Sequence, residues 1–415
     1  MNQYWLTFNP DVFIWKKHNL VLIYNAINYT VHEFESCKKF DDLYKTLVQP
    51  ENLYTSTISD KDLQDKDFST IVKQLLNANC LSLTPVSENA EIPVSFFPMP
   101  GIQRSRDKFR TNQGTFDYEK YSFYLQEITV YINGKGIQSN LYAKQFPYFL
   151  EDGKELNYQD LELLLKTIAH SSISNIRICG SNIFKYSNLY RLLNNLDRIH
   201  AIKSLYVSCQ QILDFGEAYK LLSSEQFEYR IIVDSLHPLL ESVVSMVQKK
   251  KLNITWIFYV ASKNEYTSVL EQISRLQLEK YSIKPIFRGN NLSFFFTHVF
   301  MTKEDVITSQ LNKRQIFANQ ILNTNDFGKF TISSNGDVFV NVNFPSCGNI
   351  KNDTIYTLIQ QELVWGKLWF RTRTEHPCSE CLYQWLCPSP SNYEIVLNQP
   401  NLCFKHINKQ QFDHD

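Results

Sequence analysis

The sequence predicts an α/β protein built in three parts, and three observations carry that reading. Between residues 127 and 287, short apolar strands alternate with amphipathic helical stretches, the pattern of a mainly parallel sheet with crossover connections. The first 85 residues run as three short strands, two helices and a closing strand, the order of a small winged-helix-like unit. Near the C-terminus, Cys378, Cys381, Cys387 and Cys403 crowd into one short stretch.

Composition limits the alternatives. A chain of 415 residues implies about two to four units, each able to bury a core. The 42 basic and 42 acidic side chains leave a formal charge of zero, so no electrostatic footprint points to nucleic acid or an anionic membrane surface. No apolar run reaches the roughly 18 to 20 residues of a membrane span. The opening Met1-Asn-Gln-Tyr-Trp lacks a charged-then-apolar signal pattern, and the expectation is a soluble, cytoplasmic protein. Aromatic content of 14% with only 12 glycines suits packed layers and argues against a glycine-rich phosphate loop.

In chain order, Val12-Phe-Ile-Trp, Leu20-Val-Leu-Ile-Tyr and Tyr29-Thr-Val-His-Glu-Phe are separated by turn-length polar breaks and predict an antiparallel meander. Apolar residues at 40, 43, 44, 47 and 48 predict a first amphipathic helix stopped by Pro50, and those at 68, 71, 72, 75 and 76 a second. Leu81-Ser-Leu-Thr closes this unit, 1–85. Residues 86–120 read as a proline-punctuated connector containing the basic run Arg104-Ser-Arg-Asp-Lys-Phe-Arg, a solvated face.

From 121 to 326, strands are expected around Ile128, Ile176, Leu205, Tyr229, Ile254 and Ile283, with helices over 161–168, 190–196, 239–247 and 269–276. Six strand–helix units fit a partial (β/α)6 barrel, whose working face lies at the C-terminal strand ends. The loops after Ile132 and Cys179 are therefore where chemistry is expected. Cys179 itself reads as a small core residue at a strand end. Asp234-Ser-Leu-His237 brings three catalytic residue types together, but sequence neighbours rarely form a triad and no nucleophile elbow accompanies them. From 327 to 415 a hairpin turning at Asn335-Gly336 leads to Cys347-Gly-Asn-Ile, a helix over 356–363, and the cysteines.

A CxxC pair places two sulfurs on one tight turn, Cys387 adds a third, and Cys403 returns from a separate segment. This is the donor set of a tetrahedral metal site. Disulfides fit less well with a chain that shows no secretory signal. Spacing alone leaves zinc and an iron–sulfur cluster open, since both take four thiolates.

The N-terminal order, with Leu22-Ile-Tyr-Asn25 as its second strand, resembles the PqqD-like recognition element of peptide-maturation systems. That resemblance implies that an extended leader peptide adds to the edge of the third strand, at Tyr29, Val31, Glu33 and Glu35. Six strand–helix units followed by a cysteine-rich module resemble the radical S-adenosylmethionine (radical SAM) enzymes that carry a SPASM domain. That family holds its catalytic cluster with a CxxxCxxC loop after the first strand, yet no cysteine lies between Cys80 and Cys179. The family's Gly-Gly-Glu segment after the second strand is here Cys179-Gly-Ser-Asn, with Asn182 at the carboxylate position. The resemblance thus implies a degenerate radical-SAM-like barrel that does not cleave S-adenosylmethionine.

Over 327–405 the order resembles a SPASM domain closely. Cys378, Cys381, Cys387 and Cys403 correspond to its second auxiliary cluster, whereas Asn341 and Ser391 stand where the other cluster has cysteines. Cys347 then reads as a packed turn residue. The whole chain resembles the pseudo-radical-SAM proteins associated with double-glycine leader peptides. The resemblance implies an accessory protein of ribosomal peptide maturation, with one [4Fe-4S] cluster or, alternatively, zinc, no bound S-adenosylmethionine, and a precursor leader peptide and maturation or export proteins as partners. Two alternatives stay open: a maturase active with a partner, and a zinc-stabilised interaction module.

Overall fold

A computed structural model of the chain describes residues 2–87, 91–99, 121–214, 227–234 and 238–403. The basic run at 104–110 and the Ser235 and His237 of the Asp-Ser-Leu-His stretch lie outside the described residues.

The N-terminal part contains β1 (Gln3–Phe8), β2 (Val12–Lys17), β3 (Leu20–Asn25), β4 (Val31–Glu35), α1 (Lys38–Leu47), β5 (Thr55–Ser59), the one-turn α2 (Asp60–Leu63), α3 (Lys66–Asn77) and β6 (Leu81–Pro85). The expected meander is the antiparallel sheet β2-β3-β4. β6 joins a second antiparallel sheet, β5-β1-β6, whose strands β1 and β5 carry too many threonines and serines to stand out as apolar runs. The first sheet is covered on both faces. Val12, Ile14, Val21 and Ile23 pack under Phe40, Leu43 and Leu47 of α1 and Phe68, Ile71, Val72 and Leu75 of α3. Phe13, Leu22 and Tyr24 point the other way, against Leu382, Tyr383 and Leu386 of the cysteine-rich segment. Two buried faces explain why β2 and β3 read as continuous apolar runs rather than alternating ones.

The parallel strands follow as β7 (Glu127–Tyr131), the hairpin β8 (Asn133–Lys135) and β9 (Glu151–Glu155), α4 (Tyr158–Ile168), β10 (Asn175–Cys179), α5 (Leu189–Asp197), β11 (Ile202–Ser208), α6 (Cys209–Asp214), β12 (Phe227–Asp234), α7 (Leu240–Lys250), β13 (Ile254–Val260), α8 (Lys263–Leu276) and β14 (Tyr281–Pro285). After α9 (Leu292–His298), α10 (Lys303–Ile307) and α11 (Lys313–Ile321) come β15 (Lys329–Ile332), β16 (Asp337–Phe339), β17 (Gly348–Asn349), α12 (Ile355–Val364) and α13 (Asn392–Val396).

One mixed sheet runs β14-β13-β12-β11-β10-β7-β15-β16-β17. The first six strands lie parallel in sequential order, and β15 extends them in parallel on the far side of β7, so the C-terminal hairpin is continuous with the main sheet. One face is apolar. Ile128, Val130, Ile176, Ile178, Leu205, Val207, Ile231 and Phe258 pack against Leu161, Leu165, Leu192, Leu196 and Val243 of the crossover helices. Each fully buried aliphatic side chain of this kind contributes about 1.5–3 kcal/mol. Among the described residues no helix is long and apolar enough to cross a membrane.

Candidate functional site

The cysteine-rich segment is a series of tight turns. Cys378 opens a 3-10 turn in which its carbonyl accepts the Cys381 amide at 3.0 Å, and the Cys387 amide donates to the Tyr383 carbonyl, four residues back, at 3.2 Å. Cys403 arrives separately: Met301 donates its amide to the Leu402 carbonyl at 2.9 Å, and the Cys403 amide donates to Asn401 Oδ1 at 3.0 Å. Cys378, Cys381, Cys387 and Cys403 together line one small cavity with Met301, Arg373, Gln384, Asn401 and Leu402. All are free thiols. Among the described residues no group of three or more His, Cys, Asp or Glu side chains is drawn together closely enough to hold a metal ion.

Burial pushes the Cys387 thiol up to about 12, against the neighbouring Arg373 guanidinium, while the thiols of Cys381, Cys403 and Cys378 push it further up. Burial also raises Cys378, again opposed by Arg373. Among the described residues that line the cavity, Arg373 is the one cation. It lies 3.8 Å from Cys378 Sγ, donates to the Pro388 carbonyl at 2.6 Å and pairs with Glu394 at 2.8 Å, with both side chains 5% exposed. Four thiols beside a fixed positive charge fit a group that binds thiolates and carries negative charge. Reading the sequence missed Arg373; its only signal is the basic segment that ends the preceding helix region.

The loop after β7 carries different chemistry. Residues 136–150 fold back over the C-terminal strand ends. Phe146 stacks on Tyr259 at 5.3 Å, Tyr148 donates its amide to the Tyr131 hydroxyl at 3.3 Å, and Gln145 exchanges two hydrogen bonds with Phe287, at 2.8 and 2.9 Å. Tyr131, Ile137, Ala143, Leu150, Cys179, Tyr206, Ile232 and Tyr259 form one apolar cluster there. Asn133 bridges to the next loop, accepting from the Ser181 amide at 3.0 Å and donating to the Asn182 carbonyl at 2.6 Å. A methyl group on Gly180 would meet Asn133 Oδ1 at 2.1 Å, so that glycine is required by the side chain opposite. Asn182 accepts from the Phe184 amide and starts a turn. Burial raises the Cys179 thiol well above its ordinary value. These residues do not fit a cluster with an open iron, which needs three thiolates in this loop.

Asn341 and Ser391 lie in a polar layer. Asn341 donates to Asp326 Oδ1 at 2.9 Å and Asn392 Oδ1 at 2.6 Å. Cys347 donates to the Val338 carbonyl at 3.3 Å, and burial pushes its thiol up to about 12, as suits a packed turn residue.

On the N-terminal sheet, one expectation is corrected. Tyr29 is not on the edge strand: it takes the left-handed φ of 61° and closes the β3–β4 turn on the Asn25 carbonyl. Val31, Glu33 and Glu35 are on β4, which among the described residues is paired on one side only, with β3. Hydrogen-bonded pairs at Asn25/Thr30 and Asn19/Ser36 set the alternation, so the main-chain groups of these three residues turn outward. The side chains of Val31 and Glu33 are engaged within the protein. Val31 packs into the cluster shared with Tyr383 and Leu386, and Glu33 accepts from Lys303 Nζ at 2.5 Å and from the Tyr383 hydroxyl. His32 faces the other way, and burial lowers its pKa.

No protein-family model matches the sequence, and no curated protein matches it. Among solved structures the chain is similar to Streptococcus suis SuiB bound to precursor peptide SuiA, at 13% identity and a TM-score of 0.47, covering 96% of this chain and 98% of that one. It is similar to SuiB bound to S-adenosylmethionine at 14% identity and 0.46, covering 95% and 97%. It is also similar to anSMEcpe with bound AdoMet at 12% identity and 0.44, covering 67% and 99%.

Proposed function

We propose that the protein is a pseudo-radical-SAM/SPASM accessory factor of peptide maturation: a degenerate (β/α)6 scaffold, a PqqD-like unit over 1–85 that receives a precursor leader peptide along β4, and one four-thiolate cluster held by Cys378, Cys381, Cys387 and Cys403. The observation that supports it is a contrast within the chain. Four thiols and Arg373 surround one cavity in the C-terminal segment, whereas the strand ends where a catalytic cluster would sit are filled by Tyr131, Phe146, Tyr148 and Tyr259. A site closed by four thiolates leaves no position for substrate, so it serves structure or electron relay. The reading places the protein in the cytoplasm beside its precursor and maturation or export partners.

The test is anaerobic reconstitution of the full chain. Iron and sulfide in cluster stoichiometry, lost in Cys387→Ser, are expected, with no 5′-deoxyadenosine formed from S-adenosylmethionine under reduction. Stoichiometric zinc without iron would assign the zinc-stabilised module instead, and S-adenosylmethionine cleavage would overturn the reading. Leader binding is tested with a candidate double-glycine precursor. Loss of affinity on replacing Val31 by proline, which removes an outward amide, is expected, and unchanged affinity counts against β4.

A further inference from the structure

The face of the main sheet opposite the crossover helices carries a charged patch beside its apolar cluster, where a buried parallel sheet is ordinarily apolar on both sides. Glu127 and Thr129 on β7, Arg177 on β10, Glu228 and Arg230 on β12, and Lys284 on β14 all point to it. A cavity of about 320 Å³ lies there, bounded also by Tyr206, Tyr259, Phe146, Asp326 and, from the C-terminal segment, Tyr393. That size is at the lower end of small-molecule sites.

The charges do not balance within the cavity. Glu127 answers Arg177 at 2.7 Å, and Glu228 answers the Nε of Arg230 at 2.9 Å. Asp326 is turned to Asn341 at 2.9 Å and Arg371 at 3.5 Å. Lys284 has no carboxylate among the described residues; its ammonium rests over the Phe146 ring at 5.1 Å. Burial lowers its pKa, and Arg177 and Arg230 are close enough to lower it further, with Glu127 opposing. Each arginine uses part of its guanidinium on its glutamate, and Arg230 also donates to the Tyr206 hydroxyl at 3.2 Å, leaving further N–H groups of a five-donor fork. A half-buried lysine held beside two arginines is a standing cost to the fold that an incoming anion would remove.

We propose that this cavity binds a small organic oxyanion, its charged group held by Arg177, Arg230 and Lys284 and its apolar body resting against the aromatic side chains of Phe146, Tyr206 and Tyr259. A carboxylate and a phosphate share the recognising chemistry, because a guanidinium takes either in a bidentate grip. The site is independent of the cysteines and of β4.

The experiment uses the full chain, with benzoate and phenyl phosphate as probes, benzamide as the neutral control, and ionic strength fixed with chloride. A saturable rise in melting temperature with benzoate or phenyl phosphate but not benzamide is expected, confirmed by calorimetric titration; the tighter probe assigns carboxylate or phosphate. Lys284→Met is expected to melt no lower than wild type while weakening the anion about tenfold or more. Should that variant not fold, Lys284→Gln reads the same loss. No saturable response to either probe up to about 10 mM, an equal response to benzamide, or unchanged affinity in the lysine variant would overturn the proposal.

Discussion

Gly180→Ala probes the closure of the strand ends at one contact. The added methyl group would meet Asn133 Oδ1 at 2.1 Å, and the Cγ and main-chain oxygen of Asn133 each at 3.2 Å. The first contact is impossible, so the amide must rotate away. Asn133 is only 4% exposed, and its amide makes the hydrogen bonds to Ser181 N and Asn182 O. Losing both, and leaving buried polar atoms behind, costs about 2 to 4 kcal/mol. Asn133→Ala alone forfeits the same bonds without the clash, at about 1 to 3 kcal/mol. In the double variant the methyl group enters space the amide has left, so the two penalties overlap. Urea unfolding, followed by circular dichroism and tryptophan fluorescence, should give a double-variant loss smaller than the sum by about 1 kcal/mol or more. Strict additivity, or a Gly180→Ala loss within about 0.5 kcal/mol of zero, would show that Gly180 is kept for something other than Asn133.

Three further outcomes are expected. Arg373→Met leaves Glu394 buried and unpaired and should cost about 3 to 5 kcal/mol, with the loss largely recovered in Arg373→Met/Glu394→Met; denaturant unfolding of the three variants measures this. Tyr383→Phe should lose about 1 kcal/mol or less, and Glu33→Gln, which also gives up the charge facing Lys303, somewhat more; the double variant should be less destabilised than the sum of the two, since both act on one shared hydrogen bond. Burial, opposed by Arg371 and Asn341, raises the Asp326 carboxyl above its ordinary value. The folded state therefore holds that proton more tightly than the unfolded state. Its contribution to stability rises as pH falls through the folded pKa toward the unfolded value of about 3.9, and Asp326→Asn should flatten that part of the stability–pH curve.

The elements most legible in the sequence were those whose burial pattern has a local period. The stripes of α1, α3, α4 and α5 and the apolar strands β2, β3, β10 and β13 declare themselves because one fixed face, or two, must be covered. Asn335-Gly336 marked its turn because Gly336 takes a φ of 87°. The fold-back of 136–150 has no such period: its order comes from Phe146 meeting Tyr259 and Gln145 meeting Phe287, partners over a hundred residues away. The polar face of the sheet was readable and was passed over. Glu127-Ile-Thr-Val-Tyr131, Asn175-Ile-Arg-Ile-Cys179 and Glu228-Tyr-Arg-Ile-Ile232 alternate charge or hydroxyl with aliphatic side chains, which a sheet buried on both faces does not need.

The cysteine spacing was legible because metal-site chemistry is written in short intervals, but what the cysteines touch was not. The turn between Cys381 and Cys387 carries Leu382, Tyr383 and Leu386 into the N-terminal sheet, beside Phe13, Leu22 and Tyr24. Lys17 Nζ donates to the Ser379 carbonyl at 2.7 Å, and Tyr383 donates to Glu33 of β4. The strand proposed to receive a peptide is therefore fastened, on one face, to the turn proposed to hold a cluster. A cluster held by these thiols would fix that turn, and with it Glu33 and Val31, which the turn contacts. Protein without the cluster should therefore bind the leader more weakly than cluster-loaded protein, and by linkage the leader should raise metal affinity by the same factor. Titrating the leader against cluster-loaded protein and Cys387→Ser measures the first. Equal affinities would show that β4 is held by α1 and α3 alone.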